Sequence, residues 1–445
     1  MKLLALILSF SICSSCTGIY SQGYKIDVAI KDKADDNIVL AIYSGLNKYN
    51  TIDSVQLDKK GKVTFSGKKA LAPGMYLIKV ENEIITDFLI SGEKNQTFSI
   101  NVKNNVSIKN SRENQAFLDF NKFMAEKQKK EAELVEKSKS KGKDISSEMS
   151  QLSASINSKI EEINSKYPGS LLSSIASTMS WNRTEISQKG KEYYKIHYWD
   201  NIPLDDNRIQ NTPILTSFID NYFDLVLEQQ HDSIIKGVDL IVSKAERDTA
   251  MCNYLINYIF DKYVESEMLG LDNVLVYMVD NYYSLGKAKL GDDKDWVMDY
   301  AKKHRNTLIG EKAKNLKMET INGMYESLFD FDNQYTLVYF FEPSCGQCSY
   351  ETPLIYKVFE KYKSKGLAGM CVYTQRDKTE WLSYVTKNKL VDWINVWDPQ
   401  NENNFRIAYS IYSVPQVYLL DKDKRIVGRR LDHKSLAKLL EEVLK

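Results

Sequence analysis

From Tyr24 to about Asn110 the chain alternates apolar and polar residues with a period of two. The runs YKIDVAI, NIVLAIY, TIDSVQL, KVTFSG, MYLIKV, ITDFLI and QTFSINV are divided by Gly, Asn, Asp and Lys. Alternation places one set of side chains on one face of a strand. Short strands at this spacing predict a small antiparallel β-sandwich-like or barrel domain. No catalytic constellation falls in it, so its expected work is packing or partner binding. At SRENQAFLDFNKFM the period lengthens to that of a helix. The run EKQKKEAELVEKSKSKGKD, residues 126–144, interleaves Glu with Lys, which reads as a solvated helix face. YPGS at 167–170 is a break. In NTPILTSFIDNYFDLVLEQ, Thr212 is placed to cap a helix and Pro213 to open it. Ile214, Leu215, Phe218, Ile219, Phe223 and Val226 form its apolar stripe. MCNYLINYIFDKYV and NVLVYMVDNYYSLG repeat the style, so 111–308 is predicted as an α-helical middle domain.

Beyond Leu308 the pattern changes again. QYTLVYFF is a nearly continuous apolar run, as expected of a strand buried on both faces. A helix with Leu354, Ile355, Val358, Phe359 and Tyr362 on one side follows, and Pro353 inside it predicts a kink. GLAGMCVYT is a strand, DKTEWLSYVTKNKL a helix, WINVWD a strand and NNFRIAYSIY a short helix. PQVYLLDKDKRIVGRRL gives two strands around a polar turn, and KSLAKLLEEVLK a closing helix. The succession predicts a compact α/β domain over 309–445.

Composition narrows the options. At 445 residues the chain is too long for one core, and 43% hydrophobic content suits soluble globular domains. Lys and Arg total 60 against 59 Asp and Glu, so no global basic field attracts nucleic acid. Met1-Lys2 precedes LLALILSFSI, an apolar stretch too short to span a bilayer, which reads as an export signal over residues 1–22. Cys16 closes an SSC sequence like that of a lipoprotein signal, although Cys13 stands where that pattern prefers leucine. Either Cys16 carries a lipid that anchors the protein, or the leader is cut near IYSQG. Both place the mature chain, with its first domain over 23–110, in the periplasm or cell envelope.

Four cysteines remain outside the leader: Cys252, Cys345, Cys348 and Cys371. That is not a disulfide-stapled scaffold. Cys252 lies in an apolar helix and Cys371 in a strand, where each reads as a small buried hydrophobe. His197, His231 and His304 read as surface or capping residues. The pair Cys345 and Cys348, in FFEPSCGQCSYETP, falls at the junction of a buried strand and the next helix. A helix start carries about half a unit of positive charge and free N–H groups, which lower the pKa of a thiol placed there. Cys345 is nearest that start; Cys348 lies one turn in, within reach to resolve a mixed disulfide. A closed zinc site needs about four ligands, and no second pair is present. As a staple so short a loop gives only about 2 kcal/mol. The pair reads as a cycling dithiol, with no metal and no cofactor beyond its own disulfide.

IGEKAKNLKMETINGMYESLFDF, LVYFFEPSCGQCSYETPLI and YSIYSVPQVYLLDKDKRIV resemble the TlpA/ResA-type thiol–disulfide oxidoreductases of the thioredoxin fold. The whole chain is similar to bacteroidete members that place a small β-domain and a helical domain ahead of the redox domain. SRENQAF and YPGSLLSSI carry that wider resemblance, without known chemistry. The resemblance implies that Cys345 attacks and Cys348 resolves. It implies that Pro415 is a cis-proline facing the pair, presenting the Val414 backbone to a client peptide. It places Glu351 where ResA-like members have a carboxylate that exchanges protons beside the thiols, the alternative being an exposed helix glutamate. Many relatives have Trp before the first cysteine; here it is Ser344, which removes an apolar wall beside Cys345. The implied activity is reduction of disulfides in envelope client proteins, recharged by a membrane thiol electron donor. A disulfide oxidase or isomerase is the alternative enzyme, and a binding or assembly protein with a vestigial dithiol the alternative class.

Overall fold

The computed structural model describes residues 23–93, 96–180, 189–264, 270–291 and 295–444. The expected leader, with Cys16, lies outside the described residues. The chain divides into two compact units at Tyr222/Phe223, within the helical stretch. Among the described residues no helix is long and apolar enough to cross a membrane.

The first unit opens with β1 (Tyr24–Ile30), β2 (Asn37–Gly45), β3 (Lys48–Gln56), β4 (Lys62–Gly67), β5 (Gly74–Val80), β6 (Glu83–Ile90), β7 (Gln96–Val102) and β8 (Val106–Lys109). They form two four-stranded sheets, β4-β1-β7-β8 and β3-β2-β5-β6. The alternating apolar residues predicted to face inward do so: Ile26, Val28, Leu40, Phe65, Ile78, Phe88, Phe98 and Ile100 share one core. Two features depart from the periodic reading. β8 is an extra strand, too short for its alternation to stand out. β1 also pairs parallel with β7, Tyr24 opposite Gln96, so the sheets are not wholly antiparallel.

Among the described residues, the α-helices of this unit are α1 (Arg112–Lys141), α2 (Ser146–Lys166), α3 (Leu171–Thr178), α4 (Lys191–His197) and α5 (Pro213–Asn221). Ser111 caps α1 by accepting the Asn114 N–H, and Gly142 ends it at φ 60°, a left-handed conformation that glycine adopts without strain. SRENQAF and YPGSLLSSI meet in space. Glu113 Oε1 accepts the Leu172 N–H at 2.9 Å and the Ser91 hydroxyl at 2.6 Å, so a side chain from α1 caps α3. Asn114 extends the sheet with its amide, accepting the Leu89 N–H at 2.6 Å and donating to the Leu89 carbonyl at 2.9 Å. Thr212 precedes α5 as predicted, but its hydroxyl donates back to the Ile209 carbonyl at 2.7 Å instead of capping.

The second unit begins with α6 (His231–Lys244), α7 (Thr249–Val264), α8 (Leu271–Met278) and α9 (Trp296–His304). Cys252 in α7 is buried, its thiol 3.1 Å from the Ala245 carbonyl, and burial raises its pKa. Next come β9 (Lys317–Thr320), β10 (Tyr325–Ser327), β11 (Tyr335–Phe341), α10 (Gly346–Tyr362), β12 (Leu367–Tyr373), α11 (Lys378–Lys387), β13 (Ile394–Trp397), α12 (Phe405–Ala408), β14 (Gln416–Asp421), β15 (Ile426–Arg429) and α13 (His433–Val443). The sheet order is β10-β9-β13-β12-β11-β14-β15. β11 is central, parallel to β12 and antiparallel to β14. Its alternate residues feed two cores. Leu337, Tyr339 and Phe341 pack with Ile355 and Phe359 of α10 and Leu436 and Leu440 of α13. Val338 and Phe340 pack with Met318, Phe405 and Tyr409. Each such fully buried side chain contributes about 1.5–3 kcal/mol relative to exposure, which is why this strand has no polar face.

His304 is not the surface or capping residue expected. It is buried at the end of α9, on the face carrying Val297 and Ala301. Arg429, also buried, ion-pairs with Asp272 of α8 at 2.9 Å and approaches His304 Nδ1 at 3.1 Å. Burial, then the Arg429 and Arg430 guanidiniums, push the His304 pKa down to about 4.

Candidate functional site

β11 delivers the chain to the site and Pro343 ends it, because proline cannot extend a hydrogen-bonded ladder. The turn is closed by the Cys345 N–H, which donates to the Glu342 carbonyl at 3.2 Å. Glu342 is itself held by the Thr374 hydroxyl at 2.8 Å. Cys345 then stands as the N-cap of α10, with extended backbone angles, and its sulfur accepts the Cys348 N–H at 3.1 Å. A side-chain acceptor at this position normally comes from Ser, Thr, Asp or Asn. Here it is a thiol, half-buried at the surface.

The two thiols differ sharply. Cys348 is fully buried, and burial first, then the hydrogen bond with Cys345, raises its pKa far above the ordinary thiol range. Behind it lies a group of hydroxyls. Thr352 Oγ1 donates to the Cys348 carbonyl at 2.7 Å, with the Tyr339 and Tyr384 hydroxyls 2.6 and 2.8 Å from Thr352. This ties the first turn of α10 to β11 and α11. Burial pushes Tyr384 up to about 12, so it stays protonated. Nothing in the periodic reading singled out Thr352, Tyr339 or Tyr384, since each sits in an apolar stripe.

The loop before β14 supplies the other wall. The Val414–Pro415 peptide is cis, and the Val414 carbonyl accepts the Cys345 thiol at 3.3 Å. Of the residues proposed from sequence, Cys345, Cys348 and Val414 are therefore joined by direct contacts, with Pro415 adjacent. Glu351 is buried, not an exposed helix glutamate. Its carboxylate takes the His433 N–H at 3.2 Å and lies 3.1 Å from His433 Nδ1, so it meets the first turn of α13. His433 escaped the sequence reading because it is 82 residues from Glu351. Pro353 lies inside α10, which continues through it. Ser344 is exposed, as are Tyr350 on α10 and Tyr412, two residues before Val414. Cys371 is buried in β12 beside Tyr339, and burial raises its pKa.

A half-exposed sulfur at a helix N-terminus, a buried second sulfur one turn inside and a carbonyl at the first form a geometry suited to thiol–disulfide exchange. A model of the AhpC/TSA family matches residues 309–429. Two domains of unknown function, DUF4369 and DUF5106, match residues 24–117 and 181–284. The thiol-disulfide oxidoreductase ResA of Bacillus cereus is 24% identical over 148 residues, which are 33% of this chain and 82% of that protein. Among solved structures, a domain of a possible thiol-disulfide isomerase from Cytophaga hutchinsonii is 36% identical, with 31% of this chain and 92% of that one covered and a TM-score of 0.29. A thioredoxin-like protein from Bacteroides caccae is 20% identical, with 57% of this chain and 92% of that one covered and a TM-score of 0.42.

Proposed function

Because this chain belongs, through its C-terminal domain, to the TlpA/ResA-type thioredoxin-like thiol–disulfide oxidoreductases, we propose that Cys345 and Cys348 are its redox-active dithiol and that it reduces disulfides in client proteins of the cell envelope. The observation that carries this reading is the Cys345 sulfur at the N-cap of α10, 3.1 Å from the Cys348 N–H. A thiolate there gains a hydrogen bond and the positive end of the helix.

The Cys345 thiolate attacks one sulfur of a client disulfide, forming a mixed disulfide and releasing a client thiolate that takes up a proton. Cys348 then gives up its proton and attacks the Cys345 sulfur, and the second client thiolate leaves. The client has gained two electrons and the enzyme holds a Cys345–Cys348 disulfide. A membrane thiol electron donor returns two electrons, with two protons from solvent, and needs no further cofactor. Since burial holds the Cys348 proton tightly, the second step benefits from a base, and Glu351, one turn further along α10, is assigned that task. Val414 and Pro415 present the backbone edge that aligns the client. The apolar leader supports export to the periplasm or envelope, with Cys16 lipidated or the leader removed near Ile19.

A Cys348→Ser variant tests the cycle: it accumulates clients as mixed disulfides on Cys345. Equal partner capture after loss of both cysteines would instead favour a binding protein. The reduction potential tests direction. A couple near about −270 mV marks a reductase, whereas about −120 to −180 mV marks an oxidase or isomerase.

A further inference from the structure

The loop that brings Val414 to Cys345 is held by residues that precede the redox domain. Ser410, four residues before Val414, is buried and has φ 53°, a left-handed conformation that a serine keeps only when its surroundings impose it. Its hydroxyl donates to the carbonyl of Lys303, near the end of α9. Thr307, in the turn after α9, lies with Oγ1 3.4 Å from Ser410 Oγ. Arg429 fixes Thr307 in turn, donating to its carbonyl at 3.0 Å and to its hydroxyl, while its other nitrogen holds Asp272. The Lys303 ammonium stands 5.2 Å from the centre of the Tyr412 ring. Two positions of a short loop, 410 and 412, are thus gripped by one helix end.

We infer that Lys303 and Thr307, at the end of the helical segment, are positioning residues for the redox site, setting the Val414 carbonyl against the Cys345 sulfur through Ser410. The inference rests on the dithiol reading above, and it gives this part of the helical region a task in the chemistry. The carbonyl accepts a hydrogen bond from the Cys345 thiol at 3.3 Å. A bond made only by the protonated form favours that form, so moving the carbonyl away makes the thiolate easier to reach. It also displaces the edge on which a client is aligned. Ionisable groups acting on the pair include Glu342, just after β11, Tyr339 on β11 and Tyr384 on α11, with Glu351 one turn beyond Cys348 on α10. Substitutions at 307 and 410 leave all four in place.

The test uses the full-length reduced protein and the pH dependence of Cys345 alkylation by iodoacetamide. Ser410→Gly keeps the left-handed backbone accessible while removing the tether, and Thr307→Val removes a hydroxyl at constant shape. Both are expected to lower the alkylation midpoint by about 0.5 pH unit and to slow exchange with a peptide disulfide roughly tenfold. Thr307→Ser is expected to restore wild-type values. Folded variants with an unmoved midpoint and unmoved exchange overturn the inference, as does a lowered melting temperature with an unmoved midpoint. Should either variant fail to fold, Lys303→Met, which removes the ammonium over Tyr412 together with its surface ion pair to Asp299, is read the same way, with Asp299→Asn as the control for the lost ion pair: slower exchange in Lys303→Met alone supports the inference and unchanged exchange overturns it. Alkylation needs no client. A wild-type protein that traps no client would therefore overturn the redox cycle while leaving this measurement readable.

Discussion

Two histidines in the second unit sit at opposite kinds of site. His433, at the start of α13, faces the Glu351 carboxylate, one turn beyond Cys348 along α10. His304, at the end of α9, faces two guanidiniums, from Arg429 and Arg430. The same ring is therefore offered a negative partner beside the dithiol and positive ones away from it. At His304 burial and the two guanidiniums act against the proton, and Asp272 offsets only part of that. At Glu351 the buried carboxylate meets the His433 ring and the first N–H of α13. The difference separates a histidine whose own ring is kept neutral from one in contact with a carboxylate.

The largest expected effect breaks the neutral site. Arg429→Met leaves the Asp272 carboxylate without its buried partner and should lower the stability of the second unit by about 3 kcal/mol, read by denaturant melting. Acid comes next. Folded His304 binds its proton only near pH 4, whereas an unfolded histidine does so near 6.5. Between those values the unfolded state holds the extra proton, so stability is complete above about pH 6.5 and falls as pH drops towards 4, by about 3 kcal/mol. His304→Gln should flatten that slope, and an unchanged slope would assign it to other groups. Glu351→Gln sharpens the other side. It keeps the side chain's shape and removes its charge, and should slow release of the mixed disulfide by about 100-fold while shifting the pH profile of that step. A normal release profile would leave Glu351 only as a clamp for α13. The smallest effect belongs to His433→Ala, about 1 kcal/mol, seen as a modest fall in melting temperature.

Glu113 shows why the Glu351 experiment is needed. It too is a glutamate taking an N–H at the start of another helix, Leu172 on α3, yet the described residues of its unit hold no cysteine. A carboxylate at a helix N-terminus is thus a packing device in one unit and a candidate base in the other. Its geometry alone is the same.

Local pattern carried the elements well, because a period of two or 3.6 is written in neighbouring residues. It also carried the Cys345–Cys348 pair, since a strand, a break and a helix start are all local. What it lacked was long-range. The parallel pairing of β1 with β7 depends on which strands share a core, and the Glu351–His433 contact joins opposite ends of the domain. His304 was legible in principle: Val297, Ala301 and His304 fall at helical spacing on one face. The charges beside it, Lys302, Lys303 and Arg305, masked that signal. The cis peptide before Pro415 came from the family resemblance, as nothing in SVPQV distinguishes it from an ordinary loop.

The parallel pairing has a consequence in time. β1 is an interior strand of its sheet, flanked by β4 and β7, and its partner in β7 lies about 70 residues downstream. At 5–20 residues per second, roughly 4 to 14 s separate the emergence of the two strands from a ribosome. During that interval Ile26 and Val28 have no completed core to enter, and one edge of β1 lacks its ladder. The first strand of this β-domain is therefore among the last in the domain to be finished, and whatever escorts the nascent chain meets β1 as an open strand.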